Sequence, residues 1–340
     1  MKTRVFGVLA GGALGDAMGM PTECWSQEKI RAIYPNGVET LLPSDESDAF
    51  GRKLAAGSIT DDTINVLMIA EMIKKNNGQI RVEDYVAELV EWNANSGVSE
   101  FVSGPSTLRA LKQISEGVPI TKTGISGTTN GASMKIAPIG IIANYEDMED
   151  LVSKVHQICL PTHNAKIAIQ GASAVAAAIS YVARGGNIVD KIWELAYEAI
   201  EVASNYGYDF PSASLKFRMD KAREIIGEET GPATALKRLY EEIGSGMETI
   251  ETIPCAFAIV ELAKGDPVEA AKLSACIGWD TDTIGAISAG ICGGMSPTIP
   301  ENYIEMIERV NNINLTQVSE DLYIHVLFIS LLVEVCLSLL

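Results

Sequence analysis

The chain has 340 residues, 47% of them hydrophobic but only 6% aromatic, which describes a core built from Ala, Ile and Leu rather than from rings; the length permits one large domain or two ordinary ones. Its formal net charge of −18, from 44 acidic against 26 basic residues, repels a nucleic-acid backbone or an anionic membrane over most of the surface and argues against both as partners. Every apolar run of spanning length is interrupted by a charge or a strong polar group, so a soluble protein is the expectation.

Met1 to Gly15 places Lys2 and Arg4 before a small-residue apolar stretch that imitates a secretory signal, but Gly15-Asp16 runs into Met20-Pro21-Thr22-Glu23 without a polar spacer, which favours a segment of the folded body. Three-and-four spacing then dominates. Ile64, Leu67, Met68 and Met72 form one apolar stripe, and Val86, Leu89 and Val90 another. Further helices are expected at about 105–115, 147–158, 162–184, 188–203, 215–226, 232–243, 255–264, 267–277, 282–294, 301–311 and 319–338. Alternating strand patterns are almost absent, so the fold class is all-α. No fixed-period repeat and no Pro/Ser/Gly-rich linker divides the chain, and a single domain over residues 1–340 is the simpler organisation. The least helix-like stretches, 35–58, 117–133 and 204–214, are candidate functional loops. The tail from Leu322 to Leu340 is interrupted by His325 and Glu334, which suits a buried helix or a homo-oligomer contact better than an anchor. Six cysteines (Cys24, Cys159, Cys255, Cys276, Cys292, Cys336) are scattered without a CxxC pair, as reduced and mostly buried thiols of a cytoplasmic protein are.

Two acidic clusters stand at expected helix starts. Thr60-Asp61-Asp62-Thr63 precedes the helix that begins near Ile64; Thr and Asp are preferred caps, yet two adjacent carboxylates and a hydroxyl are also hard oxygen ligands for Mg²⁺ or a similar ion. Asp280-Thr281-Asp282-Thr283 opens the small-residue helix from Ile284. A cap accounts for one of its aspartates and not for two, and a bound cation resolves the repulsion of clustered carboxylates. Gly124 to Gly131 (GISGTTNG) is a glycine- and hydroxyl-rich loop that either turns the chain or offers backbone N–H groups to a phosphate. Pro161-Thr162-His163-Asn164 precedes an Ala-rich helix, with Thr162 as its candidate N-cap and His163 able to donate to a ligand hydroxyl or phosphate. Of the three histidines, His156, His163 and His325, none stands at metal-ligand spacing to another, which argues against a zinc centre.

Five motifs in fixed order carry a family resemblance: Gly7 to Glu23 (GVLAGGALGDAMGMPTE), Ser58 to Thr63 (SITDDT), Asn130 to Gly140 (NGASMKIAPIG), Thr162-His163-Asn164, and Gly278 to Thr283 (GWDTDT). Together they resemble the ADP-ribosylglycohydrolase family over most of the chain. The resemblance implies a compact orthogonal multi-helix bundle with a binuclear Mg²⁺ centre in a cleft, Mn²⁺ being the alternative occupant. It assigns Thr60, Asp61, Asp62 and Asp282 to one ion and Asp280, Asp282 and Thr283 to the other, with Asp282 bridging and with Asp61 and Asp62 also counted among the catalytic residues. Glu23 matches the family's acidic residue after the first helix, which assists proton transfer or gates the site. Asn130, the loop through Gly127, Thr128, Thr129 and Gly131, and His163 match positions that hold the distal ribose and diphosphate. Paired ions suit the chemistry, since they orient a ribose diol and activate a water for attack at the anomeric carbon.

Trp279 departs from the family pattern, which carries a small or amide residue there in many members; its ring either stacks on a base or leaving group or packs in the core. Tyr206 to Met219 (YGYDFPSASLKFRM) fits no family motif and is a candidate substrate-selecting loop whose Lys216 and Arg218 could meet an anion. Three functions remain in play. The first is removal of ADP-ribose from a modified protein side chain or a small molecule. The second is hydrolysis of a simpler N-riboside with Trp279 facing the aglycone. The third is a catalytically silent ADP-ribose-binding relative, against which both intact aspartate clusters and Glu23 speak.

Overall fold

Gly7, Gly11, Gly15 and Gly19 recur every fourth residue, a spacing that lines them along one stripe of a helix. The computed structural model, which describes residues 1–228 and 231–338 without the side chains of residues 100 and 328–338, shows what the stripe is for. Helix α1 (Lys2–Gly19) lies against helix α6 (Thr281–Met295) so closely that a Cβ on Gly7, Gly11, Gly15 or Gly19 would run into the carbonyl oxygens of Gly293, Ala289, Gly285 or Thr281, respectively. Chain directions are therefore opposed, and the C-terminal half of α1 is laid beside the N-terminus of α6. The segment that imitates a secretory signal is thus a buried helix at the centre of the molecule. Overpacking of this kind costs about 1–3 kcal/mol or more. Gly15→Ala is expected to lower the melting temperature by several degrees in a thermal unfolding scan; an unchanged melting temperature would contradict the close packing.

Helices α2 (Asp61–Lys75), α3 (Lys166–Ala183), α4 (Thr249–Leu262) and α5 (Pro267–Ile277) surround this pair, with α5 packing on both its members and α3 and α4 on α6. Their buried Ala, Ile and Val side chains belong to one continuous hydrophobic core. The fold is all-α, and among the described residues extended pairing is limited to two isolated bridges, Thr129 with Glu248 and Ala165 with Tyr208. By length and composition α3 is the one described helix apolar enough to cross a membrane, and 83% of that window is buried inside the protein.

Most expected helices are present, and the differences have local causes. The helix expected from 255 begins at Thr249 and carries Pro254 inside it; Thr249 anchors that start by donating from its backbone N (3.3 Å) and its hydroxyl (2.7 Å) to the Thr128 carbonyl. The helix expected from 162 begins at Lys166 and has no side-chain cap, so Thr162 is not its N-cap: its hydroxyl is committed to Lys135 and His163 instead. The helix expected over 232–243 is α-helical only to Arg238 and ends in a π turn, Leu239–Ile243. The last helix starts at Leu315; in the tail expected to be buried or to form a homo-oligomer contact, Leu322 and Val326 are buried in the core and Ile324 and Leu327 are exposed, while the side chains from residue 328 on, with Cys336, lie outside the described residues. The other five cysteines are free thiols, of which Cys24 is exposed rather than buried.

Candidate active site

Three helix ends meet where α1 crosses α6. Thr60 caps α2, its Oγ1 accepting from the Asp62 backbone N at 3.3 Å, which leaves the carboxylates of Asp61 and Asp62 free of that duty. Asp16, near the end of α1, takes up more of the orphan donors of the same helix start. It accepts from the Thr60 N (3.0 Å), the Thr63 N (3.1 Å) and the Thr63 Oγ1 (2.5 Å). Asp280 occupies the N-cap position of α6 but makes no side-chain cap bond; its Oδ2 accepts from Asn130 Nδ2. The glycine stripe, by closing the α1–α6 distance, thus brings Asp16 and Glu23 to Asp280 and Asp282.

Two groups of carboxylates result, each with ligand atoms within 4.8 Å of one another: Asp16, Asp62 and Asp282, and Glu23, Asp280 and Asp282. Asp282 is common to both. Thr283 Oγ1 donates to Asp62 Oδ2 at 3.3 Å and Thr60 Oγ1 donates to the same oxygen at 3.0 Å. Asp61 Oδ2 and Asp62 Oδ1 are buried with no hydrogen-bond partner at all. Burial and then mutual repulsion, chiefly from Asp282, push the carboxyls of Asp61, Asp62 and Asp280 well above their usual range, and Asp16 up to about 7. Such an arrangement is costly unless a cation supplies what the protein does not. An all-oxygen donor set of carboxylates with a hydroxyl suits a hard divalent ion, and the orphaned oxygens of Asp61 and Asp62 are ones such an ion would satisfy.

Glu23 borders this cluster and is held from the other side. Arg52 Nη1 donates to Glu23 Oε2 while its Nη2 donates to Asp48 Oδ2 (2.8 Å) and the Met20 carbonyl (3.2 Å). Arg52 is only 6% exposed, and its non-helical stretch, 35–58, is one of the three expected to be functional. Burial, followed by Asp282, raises the Glu23 carboxyl well above its ordinary range in spite of the guanidinium, whereas the Arg52 bonds outweigh desolvation at Asp48 and hold that carboxyl below it.

A cleft of about 420 Å³ is lined by the carboxylates together with Gly104, Pro105, Thr107, Thr129, Asn130, Gly131 and His163. Both amide hydrogens of Asn130 are committed, to Asp280 and to Thr252 Oγ1 (2.6 Å), so Asn130 orients Asp280 and would meet a ligand through its carbonyl oxygen. His163 is buried and hydrogen-bonded to Thr129 Oγ1 at 3.0 Å; burial, with the charges of Lys135 and Arg109, keeps its imidazole neutral. Gly127 and Thr128 do not line this cleft. A Cβ on Gly127 would strike the Thr162 carbonyl and lie 2.8 Å from His163 Cα, and the Thr128 carbonyl receives the start of α4, so both serve packing. Trp279 is also outside the cleft lining. It is 49% exposed, with φ +62°, and its backbone is clasped by Trp25 (N–H to the Trp25 carbonyl, 2.8 Å) and Cys24 (N–H to the Trp279 carbonyl, 2.6 Å). A groove lined by Cys24, Trp25, Ser26, Tyr240 and Trp279 therefore starts one residue beyond both Glu23 and Asp280.

The 206–219 segment lies away from the cleft lining. Tyr208 bridges to Ala165, and Arg218 donates to the Ile243 carbonyl at 2.6 Å, so that side chain is already occupied. Asp16, Arg52 and Arg109 were not singled out as site residues from sequence. Asp16 had a signal, a lone carboxylate in an apolar small-residue helix; Arg52 and Arg109 had none, since each acts across long stretches of chain.

The whole chain is similar to known proteins. Residues 1–327 match the family described as ADP-ribosylglycohydrolase. The uncharacterized protein YegU of Escherichia coli (strain K12) is 35% identical over 300 residues, 87% of this chain and 88% of that protein. An uncharacterized protein of Archaeoglobus fulgidus is 30% identical over 310 residues, 90% and 92% of the two chains. A solved structure titled ADP-ribosylglycohydrolase-related protein complex shares the fold, with a TM-score of 0.67 at 22% identity over 96% of this chain and 98% of that one. The five ordered motifs, the helical fold and these matches agree: the chain belongs to the ADP-ribosylglycohydrolase family.

Proposed function

We propose that the protein is a divalent-cation-dependent hydrolase that removes ADP-ribose from a modified protein side chain or a small molecule. The observation that carries this reading is the pair of carboxylate groups joined at Asp282, with buried, unpartnered oxygens on Asp61 and Asp62, in a cleft that Thr129, Asn130 and His163 also line. Asp16, Asp61, Asp62, Asp280, Asp282 and the hydroxyls of Thr60 and Thr283 are the residues that would hold two ions, Mg²⁺ or Mn²⁺. When bound, they supply Lewis acidity and orientation to a ribose diol and a water. Glu23 then has the proton work. Water adds to the anomeric carbon as the bond to the leaving nitrogen or oxygen breaks, and Glu23 accepts the water proton or delivers one to the leaving atom. Its raised affinity for a proton and its fixed place against Arg52 suit that task. Arg109, exposed and donating to the Ser126 carbonyl at 3.0 Å, stands outside the cleft lining but near enough for its charge to act on His163, and would offer the positive charge that a diphosphate needs on an acidic protein.

A second reading, hydrolysis of a simpler N-riboside, is favoured by the half-exposed Trp279 ring beside Asp280, a position from which it would stack on a planar leaving group. The purified protein, given ADP-ribosylated peptides, O-acetyl-ADP-ribose and simple nucleosides with Mg²⁺ or EDTA, separates the two. ADP-ribose released only with Mg²⁺ supports the first reading, and free ribose from a nucleoside supports the second. Trp279→Gly suits the left-handed backbone at this position and keeps the fold. On the first reading it changes kcat/KM for ADP-ribosylated substrates by less than about 3-fold, and on the second it costs nucleoside hydrolysis roughly 10-fold, the order of one lost ring stack. Absence of any turnover with metal bound would leave a binding protein and sink both.

A further inference from the structure

Lys135 is a buried cation with an unusual set of partners. It is 1% exposed, and none of the described ion pairs involves it. Its Nζ donates to Thr162 Oγ1 at 2.9 Å and to the Tyr85 hydroxyl at 3.2 Å. Burial lowers the ammonium to about 8, which still leaves it charged at neutral pH, with hydrogens to give and no lone pair to accept with. Tyr85 passes its own hydrogen on to Asn65 Oδ1 at 2.7 Å. Thr162 also accepts from Lys135, and the remaining partner for its hydroxyl hydrogen is His163 Nδ1, 2.8 Å away. On the opposite edge of the ring, Nε2 lies 3.0 Å from Thr129 Oγ1, whose hydrogen is directed at Ser106 Oγ (3.0 Å). One direction of donation satisfies the whole chain: Lys135 to Thr162, Thr162 to His163 Nδ1, His163 Nε2–H to Thr129, Thr129 to Ser106. The other tautomer would aim the Thr162 hydrogen at an N–H in a place closed to water.

We infer that Lys135 is a positioning residue that, through Thr162, fixes His163 as the neutral Nε2–H tautomer, so that the ring edge bordering the cleft gives its hydrogen to Thr129 Oγ1, orienting that hydroxyl, and cannot ligate a metal ion. The ring is fixed in place as well as in tautomer, because a Cβ on Gly131 would lie 2.7 Å from His163 Cε1 and 2.8 Å from Nε2, contact that only a glycine permits. With Nε2–H given to Thr129 Oγ1 and the Thr129 hydrogen given to Ser106, the pair presents the remaining lone pair of Thr129 Oγ1 to the cleft, which fits a ribose hydroxyl as donor, and the imidazole is kept from competing with the carboxylates for cations. The kinetic consequence rests on the proposed reading of the cleft; the tautomer does not.

The test is ¹⁵N spectroscopy of the metal-free full-length protein labelled at its three histidines, between pH 6 and 8. The wild-type spectrum should show His163 with a protonated Nε2 and an unprotonated Nδ1. Thr162→Val, nearly the same shape without the hydroxyl, and Lys135→Met should each shift His163 towards Nδ1–H or a mixture, while Thr162→Ser should restore the wild-type pattern. Assayed on an ADP-ribosylated peptide with Mg²⁺, Thr162→Val should raise KM roughly 10-fold with a smaller change in kcat, and Thr162→Ser should not. An imidazolium or Nδ1–H form in the wild type, which needs no variant to fold, overturns the inference, as does a Thr162→Val spectrum identical to wild type. A tautomer change with unaltered KM would instead count against the ligand-binding role of the cleft.

Discussion

Replacing Asp282 by Asn is expected to reduce kcat/KM by at least about 10³-fold, beyond the 10–100-fold typical of residues that merely support a metal ligand. Asp282 is the one residue common to both carboxylate groups, and it is the leading source of repulsion at Asp61, Asp62 and Asp280 once burial is counted. The same substitution should have the opposite effect on the metal-free fold. Removing one charge from a buried cluster of acids relieves repulsion, so EDTA-treated Asp282→Asn should melt higher than EDTA-treated wild type, while its melting temperature should respond far less to added Mg²⁺. Loss of activity accompanied by a lower metal-free melting temperature would point to a structural role instead.

The second large effect is on stability as a function of pH. Asp16 is raised from 3.8 to about 7 in the folded protein, and Asp61, Asp62, Asp280 and Glu23 are raised as well. For a carboxyl raised by folding, the native state holds protons that the unfolded chain has released. Stability from that group is therefore fully present below its unfolded value and is lost as pH rises through its folded value. For Asp16 the window runs from about pH 4 to 7, and at about 1.4 kcal/mol per pK unit the swing is on the order of a few kcal/mol. His163, held neutral, works in the other direction below its ordinary value, because stability from it is lost as pH falls. Comparing melting temperatures with and without Mg²⁺ at each pH removes that contribution. The Mg²⁺ increment should be small at pH 5.5 and several-fold larger at pH 8, where the carboxylates are ionised and the cation has most to neutralise. An increment independent of pH would contradict the cluster as the cation site.

How much of this was legible in the sequence depends on the range over which each residue acts. The acidic starts of α2 and α6 were readable because cap chemistry is local and two aspartates exceed what a cap needs. Most helices could be placed from their apolar periodicity, and the exceptions, at Thr162 and Pro254, arose where a tertiary partner outweighed a local preference. Asp16 and Arg52 were missed for the same reason. Asp16 acts on Thr60 and Thr63 only because the Gly7–Gly19 stripe presses α1 onto α6, and Arg52 reaches Glu23 from 29 residues further along the chain. The glycine-rich loop shows the converse. Its composition left a plain turn and a phosphate cradle both open, and only the structure shows that Gly124, Gly127 and Gly131 let the chain close on residues 160–164 and the His163 ring.

The central proposal, that the two carboxylate groups sharing Asp282 would together hold cations, is tested most directly by titrating Mg²⁺ into the metal-stripped protein in a calorimeter and counting sites. The account predicts two ions per wild-type chain and at most one, bound more weakly, for Asp282→Asn. Wild-type protein that binds no ion, or an Asp282→Asn variant that binds two with unchanged affinity, would contradict it.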